Sequence, residues 1–243
     1  MTHSRKQVFF RAMIFCALVA MLISLALLAL PGPATAQGRG TIAWKQTGGP
    51  SGGGVGMIVV DPTNPAVVYA SAEVGLFKSA DAGASWRPIG QSLPPATNVQ
   101  RLVIDPTTNP AILYVGASSG IYRSADGGIT WSAMNRGLLN LTIYALVAES
   151  SPAGVTALYA GTAGCLFKST DGGASWTSAS QGLLDAEVNA LTLDPLSSPT
   201  GERRLYAGVK GKIYRSTDAG AFWQPISKQL PASTTIQPTC ALA

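Results

Sequence analysis

The chain has 243 residues, and setting aside a first stretch of 36 with the layout of an export signal leaves 207, room for one domain with a real core or two small ones and too little for a large multidomain enzyme. Charged residues make up 12%, against roughly a quarter in ordinary domains, while 27 glycines and 16 prolines mark a turn-rich chain and 47% apolar residues is too many for disorder. The net charge of +5 includes Arg5, Lys6 and Arg11; without them 14 basic residues face 12 acidic ones, and nothing points to nucleic acid. The single histidine, His3, also lies in the leader, so a mature chain has no imidazole for a Ser-His-Asp or Cys-His site or for a histidine-ligated metal. No cofactor and no metal are expected.

Three basic residues, Arg5, Lys6 and Arg11, precede an unbroken apolar run, Ala12 to Leu30, then Pro31-Gly32-Pro33 and the small-residue triplet Ala34-Thr35-Ala36. That is the order of a secretory signal cleaved after Ala36. The run of 19 residues is also close to the ~20 that span a bilayer as a helix, so an uncleaved membrane anchor over residues 12–30 is the alternative. Either way the basic side stays cytoplasmic and residues 37–243 end outside the membrane, secreted, periplasmic or tethered, touching the membrane only through the N-terminal segment. Cys16, inside the run, lacks the small-residue context of a lipoprotein signal.

One pattern, S-x-D-x-G-x-x-W, is written four times. It runs Ser79, Asp81, Gly83, Trp86; Ser124, Asp126, Gly128, Trp131; Ser169, Asp171, Gly173, Trp176; and Ser216, Asp218, Gly220, Trp223. The aspartates are 45, 45 and 47 residues apart, and Tyr69, Tyr114, Tyr159 and Tyr206 each precede one by 12. A fixed period of that length means a repeat architecture with one unit per copy. The two additional residues of the last interval fall between Trp176 and Tyr206, and the Asp194 to Arg204 loop can absorb them without disturbing a strand.

Within the second copy the pattern predicts four short strands, Val99 to Ile104, Ala111 to Ala117, Gly120 to Ser124 and Thr130 to Ala133. Asp105-Pro106 ends the first, as Asp61-Pro62 and Asp194-Pro195 do in theirs, because proline cannot donate to a ladder and suits the start of a turn; the third copy departs, with Glu149-Ser150. Four antiparallel strands per 40–50 residues, apolar on both faces, fit a blade sandwiched between neighbours better than a helical solenoid. In the box itself the Asp carboxylate can accept N–H bonds across its own turn, Ser can offer a hydroxyl to the same turn, and Gly admits a conformation other residues resist. Trp is expected to plug the gap against the next blade. One carboxylate per blade sits around a periphery and does not converge on a cavity, so the boxes read as structural; no D-x-D-x-D-G calcium loop is present.

These residues resemble the Asp-box or BNR-repeat β-propellers, which include sialidases, xyloglucanase-type glycoside hydrolases, sortilin-like receptors and the photosystem II stability and assembly factors. The resemblance covers Gly40 to about Leu230. It implies an all-β propeller of four-stranded blades with the boxes away from the binding face. The expected blades are 51–94, 95–140, 141–185 and 186–231, with 232–243 opening an unfinished one. Thr41-Ile42-Ala43-Trp44 resembles a lone closing strand, and Leu230 to Cys240 resembles the lead into a new blade. Propellers of this kind usually close with more blades. The expectation is therefore an open arc, as a shortened product of a longer ancestor or a chain that closes by association through its open edges, with a four-bladed ring as the alternative.

Function divides into a binding or assembly scaffold for a protein or polysaccharide, and a degenerate sialidase- or xyloglucanase-like glycoside hydrolase; resemblance to the photosystem II factors adds a third possibility. Enzyme activity is the less favoured reading. Sialidase chemistry would need an arginine cluster introduced by an F/Y-R-I-P segment, which is missing, and hydrolysis of plain sugars needs two convergent carboxylates. Apart from box and Asp-Pro residues the acids are Glu73, Glu149, Asp185, Glu187 and Glu202, of which Glu73 and Glu149 are the catalytic candidates. The first strands align Gly56-Met57, Gln100-Arg101, Tyr144-Ala145 and Asn189-Ala190, varied groups on a constant scaffold, and Gln100, Arg101, Tyr144 and Asn189 are the binding candidates. Lys78, Arg123, Lys168 and Arg215 recur before each box serine, which suggests stacking on an aromatic ring. The resemblance to the photosystem II factors implies a basic patch for a membrane-protein partner, for which Arg101, Arg203 and Arg204 are the candidates. Cys165 and Cys240 could pair in an oxidising compartment or remain separate thiols.

Overall fold

A computed structural model describes residues 48–50, 53–151, 154–183, 187–194 and 204–226. The leader, Trp44, the 230–240 segment with Cys240, and Asp185, Glu202 and Arg203 lie outside the described residues. Among the described residues sixteen strands form four sheets. They are β1(Val55–Val60), β2(Val68–Ala72), β3(Gly75–Ser79) and β4(Arg87–Pro88); β5(Val99–Asp105), β6(Ile112–Ala117), β7(Gly120–Ser124) and β8(Ser132–Ala133); β9(Ile143–Ser151), β10(Gly154–Thr162), β11(Leu166–Ser169) and β12(Thr177–Ser178); β13(Val188–Leu193), β14(Leu205–Val209), β15(Lys212–Ser216) and β16(Gln224–Pro225). Each sheet is an antiparallel meander in chain order. The outermost strand is shorter than the sequence pattern predicts: it begins at Ser132, because Thr130 is drawn back to Asp126 and Trp131 leaves the ladder to plug the core.

The sheets are propeller blades. Each inner strand packs on the inner strand of the following blade, β1 with β5, β5 with β9 and β9 with β13, and no comparable packing joins β1 to β13, so the arc is open. Three apolar clusters fill the three joints. The first gathers Tyr69, Leu76 and Ile89 of blade 1 with Val99, Leu102, Leu113, Val115 and Trp131 of blade 2. The second gathers Tyr114 and Ile121 with Ile143, Leu146, Phe167 and Trp176, and the third gathers Tyr159 and Leu166 with Val188, Tyr214 and Trp223. Alternation along each strand sends one set of side chains to the preceding blade and the other to the following one, which is why these strands are apolar on both faces.

The box tryptophans are the joints' fixed points, and they face the preceding blade, not the next one as the sequence suggested. The indole Nε1–H of Trp131 donates to the Ile89 carbonyl at 2.9 Å, that of Trp176 to Met134 at 2.8 Å and that of Trp223 to Ala179 at 2.9 Å, in each case the residue three after the previous blade's tryptophan. The backbone N–H groups of Trp176 and Trp223 donate to the Arg136 and Gln181 carbonyls, both at 2.9 Å. Gly137 and Gly182 follow those carbonyls at φ 91°, and a Cβ at either would collide with the carbonyl of Trp176 or Trp223. At the first joint Ser92 takes this place, and its hydroxyl accepts from the Trp131 N–H at 3.0 Å.

The basic residues before each box serine complete the joint from the other side. Lys78, Arg123 and Lys168 lie over Tyr69, Tyr114 and Tyr159 at 5.3, 6.0 and 5.3 Å from the ring centroids, as their recurrence suggested. At the third joint Lys168 Nζ and the Tyr159 hydroxyl both donate to the Ala219 carbonyl in the next blade's box turn, at 2.9 and 3.1 Å. Burial, reinforced by the charge of Asp61, pushes the Tyr69 hydroxyl up to about 12 against a smaller lowering by Arg87, so it stays protonated.

Candidate functional site

The meander sorts every blade into two ends. Turns between first and second strands share one end with the boxes; turns between second and third strands share the other with the links from blade to blade. The box end is occupied by its own hydrogen bonds. Asp126 Oδ1 accepts from the N–H groups of Ile129 and Thr130, both at 2.9 Å, and from the Ser124 hydroxyl at 2.7 Å, while Ser124 Oγ accepts from the Gly128 N–H at 2.8 Å. Asp81, Asp171 and Asp218 repeat the Ser bond at 2.7 Å. Bonds from the Ser85 side chain and backbone and from Ser79 hold the Asp81 carboxyl at about 2; the equivalent donors Ser175 and Ser169 do so for Asp171, also about 2, and Thr130 and Ser124 take Asp126 well below the carboxylate range. Carboxylates held this far below neutrality do not shuttle protons there.

The neighbouring Asp-Pro turns are equally self-contained. Asp61 Oδ1 accepts from the Thr63 N–H at 2.9 Å and the Thr63 hydroxyl at 2.8 Å. Asp105 does the same with Thr107 and also accepts the Val155 N–H of blade 3 at 3.0 Å. Burial opposes the Asp105 carboxylate, but these bonds and the charge of Arg123 outweigh it and lower its pKa. Blade 3 has no Asp-Pro of its own because its β9–β10 hairpin extends further and leans on Asp105. In blade 4 the Asp194 N–H donates to the Arg204 carbonyl at 3.0 Å, closing the base of the inserted loop, whose residues 195–203 lie outside the described residues.

At the opposite end every inner strand is bulged at the same place. Pairing slips between Val55 and Met57, between Val99 and Arg101, opposite Gly161 and Thr162 in blade 3, and between Val188 and Ala190. The unpaired residues are Gly56, Gln100, Tyr144 and Asn189. These are the positions the sequence alignment picked out as varied, and the bulge gives a physical reason: a residue outside the ladder has its side chain re-aimed and its identity released from the pairing. Gln100, Tyr144 and Asn189 are half-buried. The Arg101 guanidinium folds back, Nη1 donating to the Gln100 carbonyl at 2.7 Å.

Between blades 1 and 2 this end opens into a groove of about 830 Å³. Two glycines, Gly56 and Gly90, are part of its lining. Gly56 stands where other blades carry Gln100, Tyr144 or Asn189, and Gly90 stands where Asn135 and Ser180 accept bonds from the Ile121 and Leu166 N–H groups at 2.8 and 2.9 Å. Ser71, Gln91, Thr97 and Asn98 offer neutral hydrogen-bonding groups, Val55, Val74, Leu93, Pro94 and Pro95 offer apolar surface, and Glu73 is the one carboxylate of the lining. Ala96, also in the lining, sits at φ 60°, a left-handed conformation that costs a non-glycine residue about 1–2 kcal/mol.

The groove brings Glu73 near the bulged row but separates it from Glu149, which lies on β9 opposite Ala157, toward the box end. The two do not make a carboxylate pair. Arg101 and Arg204 are likewise parted, at the link end and the box end of their blades, so no basic patch joins them. Glu187 precedes β13, half-buried. Among the described residues no three His, Cys, Asp or Glu side chains gather as metal ligands, and Cys165 is a free thiol in the β10–β11 turn. Sequence reasoning missed the groove and the linker glycines. The first is visible as glycine at two positions filled in the other copies, the second as Arg136-Gly137-Leu138 repeated in Gln181-Gly182-Leu183.

Residues 41–191 match the family described as the DUF6242 beta propeller domain. The chain belongs to that family. Among solved structures it is similar to an ancestral GH74 enzyme, with 25% identity and a TM-score of 0.57 over 72% of this chain and 24% of that one. It is similar also to the GH74 xyloglucanase from Xanthomonas campestris, with 24% identity and a TM-score of 0.56 over 69% and 29%. The extracellular domain of a putative one component system from B. thetaiotaomicron shares the fold at 16% identity, TM-score 0.51, over 70% and 22%. The chain thus spans about a quarter of the length of the solved enzymes it matches. No curated protein matches it.

Proposed function

We propose that the chain is an exported, non-catalytic binding module whose recognition surface is the link end of the blades, with the bulged row Gln100, Tyr144 and Asn189 and the groove beside Glu73 as its contacts. The observation that carries this reading is the bulge, fixed in register in every blade while the residue it displays changes. An arrangement of neutral hydrogen-bonding groups, one aromatic ring and apolar surface suits a neutral polymer, and the similarity to a xyloglucanase favours a β-glucan chain over a polypeptide. Similarity to an extracellular sensor domain agrees with a place outside the cytoplasm.

A second reading, a reduced glycoside hydrolase, is favoured by the GH74 likeness and by Glu73 in the groove. Mixing the purified full chain with xyloglucan and measuring both retention of the protein and release of reducing ends separates the two. Retention without release, weakened by Tyr144→Ala, is expected. Release abolished by Glu73→Gln would replace the module with the hydrolase, and absence of both would remove the β-glucan assignment.

A further inference from the structure

The two ends of the arc carry the unfilled halves of one joint. On blade 1 the side facing backward along the chain exposes Val55 at 47% and Ile58 at 66%, whereas their equivalents in the next blade, Val99 and Leu102, are 5% and 8% exposed, and in blade 3 Ile143 and Leu146 are 0% and 5%; Val60, at 50%, is likewise more exposed than its half-buried counterparts Ile104 and Ala148. Trp86 is half-buried, and among the described residues its Nε1–H donates only to its own turn, to the Gly83 carbonyl at 3.1 Å, where the other three box tryptophans reach across to a preceding blade. On blade 4 the opposite deficit holds. Ile226 occupies the place of Ile89 and Ala179, which are 3% and 9% exposed, yet it is 45% exposed. Arg215 is exposed and, among the described residues, stacks on no ring.

We propose that two copies of this chain dock head to tail, blade 4 of one on blade 1 of the other, through a fourth instance of the joint already present three times within the molecule. The Trp86 indole then donates to the Ile226 carbonyl of the second copy. Tyr206 and Arg215 meet the Ala82 carbonyl, as Tyr159 and Lys168 meet Ala219; Ala82 and Ala219 share the same left-handed turn, φ 55° and 56°, so the acceptor is already aimed. The contact is heterologous, one face meeting a different face. This inference stands on the repeated joint and is independent of the polymer-binding reading.

Two single-face variants of the full-length chain test it, Ile58→Glu on the leading face and Ile226→Glu on the trailing face, both at exposed side chains so that folding, checked by circular dichroism, is kept. Light scattering coupled to size exclusion should give at least twice the chain mass for the parent and the chain mass for each variant alone. An equimolar mixture of the two variants should recover a 1:1 pair, because one intact leading face meets one intact trailing face. A parent that stays at the chain mass up to 100-fold higher concentration would overturn the proposal, and so would assembly that neither variant alters or a mixture that shows no rescue.

Discussion

The box hairpins and the bulged ends of the inner strands repeat with equal fidelity, yet they conserve opposite things. At the boxes both backbone and side chains recur: Ser124, Asp126, Gly128 and Trp131 have counterparts in every blade, with the same Ser–Asp bond at 2.7 Å. At the bulges only the backbone recurs, while Gly56, Gln100, Tyr144 and Asn189 differ in size and chemistry. A side chain that recurs with its hydrogen bonds is part of the frame. One that changes while its backbone holds is free to meet something outside.

Variants that tell these regions apart follow from their chemistry. Trp131→Ala removes a tryptophan that is 8% exposed and a bond across the joint, and should cost about 3–5 kcal/mol, read as a large fall in the urea midpoint. A fall below 1 kcal/mol would show that the joint is not held there. Ser124→Ala leaves the buried Gly128 N–H without its acceptor and should cost about 1–3 kcal/mol by the same measurement.

The box carboxylates add a pH signature. Their folded-state pKa values lie below the unfolded one, about 2 for Asp81 and Asp171 against ~3.9 unfolded, so their contribution is present above about pH 4 and is lost as the pH falls toward 2. Melting temperature should be flat from neutral pH to about 4 and then drop, with a shallower drop for Asp81→Asn. A profile unchanged by that substitution would remove Asp81 from the staple. Smallest of all, Ala82→Gly relieves a left-handed alanine at φ 55°, partly offset by a looser unfolded chain, and should raise stability by a few tenths of a kcal/mol.

The repeats made the frame legible in the sequence because each joint is local in pattern: a tryptophan, a tyrosine and a basic residue at fixed spacing from one aspartate. The direction in which Trp131 points was not legible, since a period of 45 residues says that neighbours meet and not which face of a blade receives the plug. The bulged row was visible as variation at aligned positions, although the register slip that causes it is a property of two paired strands. The groove could not be read from any one copy. Its lining includes Gly56 and Gly90, 34 residues apart in the chain and brought to one groove only by the fold. Glu73 and Glu149 looked equivalent as spare acids, and only the sorting of turns to two ends parts them.

The triple variant Gln100→Ala, Tyr144→Ala, Asn189→Ala separates the frame from the proposed recognition surface when its melting temperature and its retention on xyloglucan are measured together. Expected is a melting temperature within a few degrees of the parent, since substitutions at half-buried bulge positions outside the ladder cost about 0.5 kcal/mol each or less, together with loss of retention. A collapse in melting temperature, or full retention on the polymer by a folded triple variant, would contradict that separation.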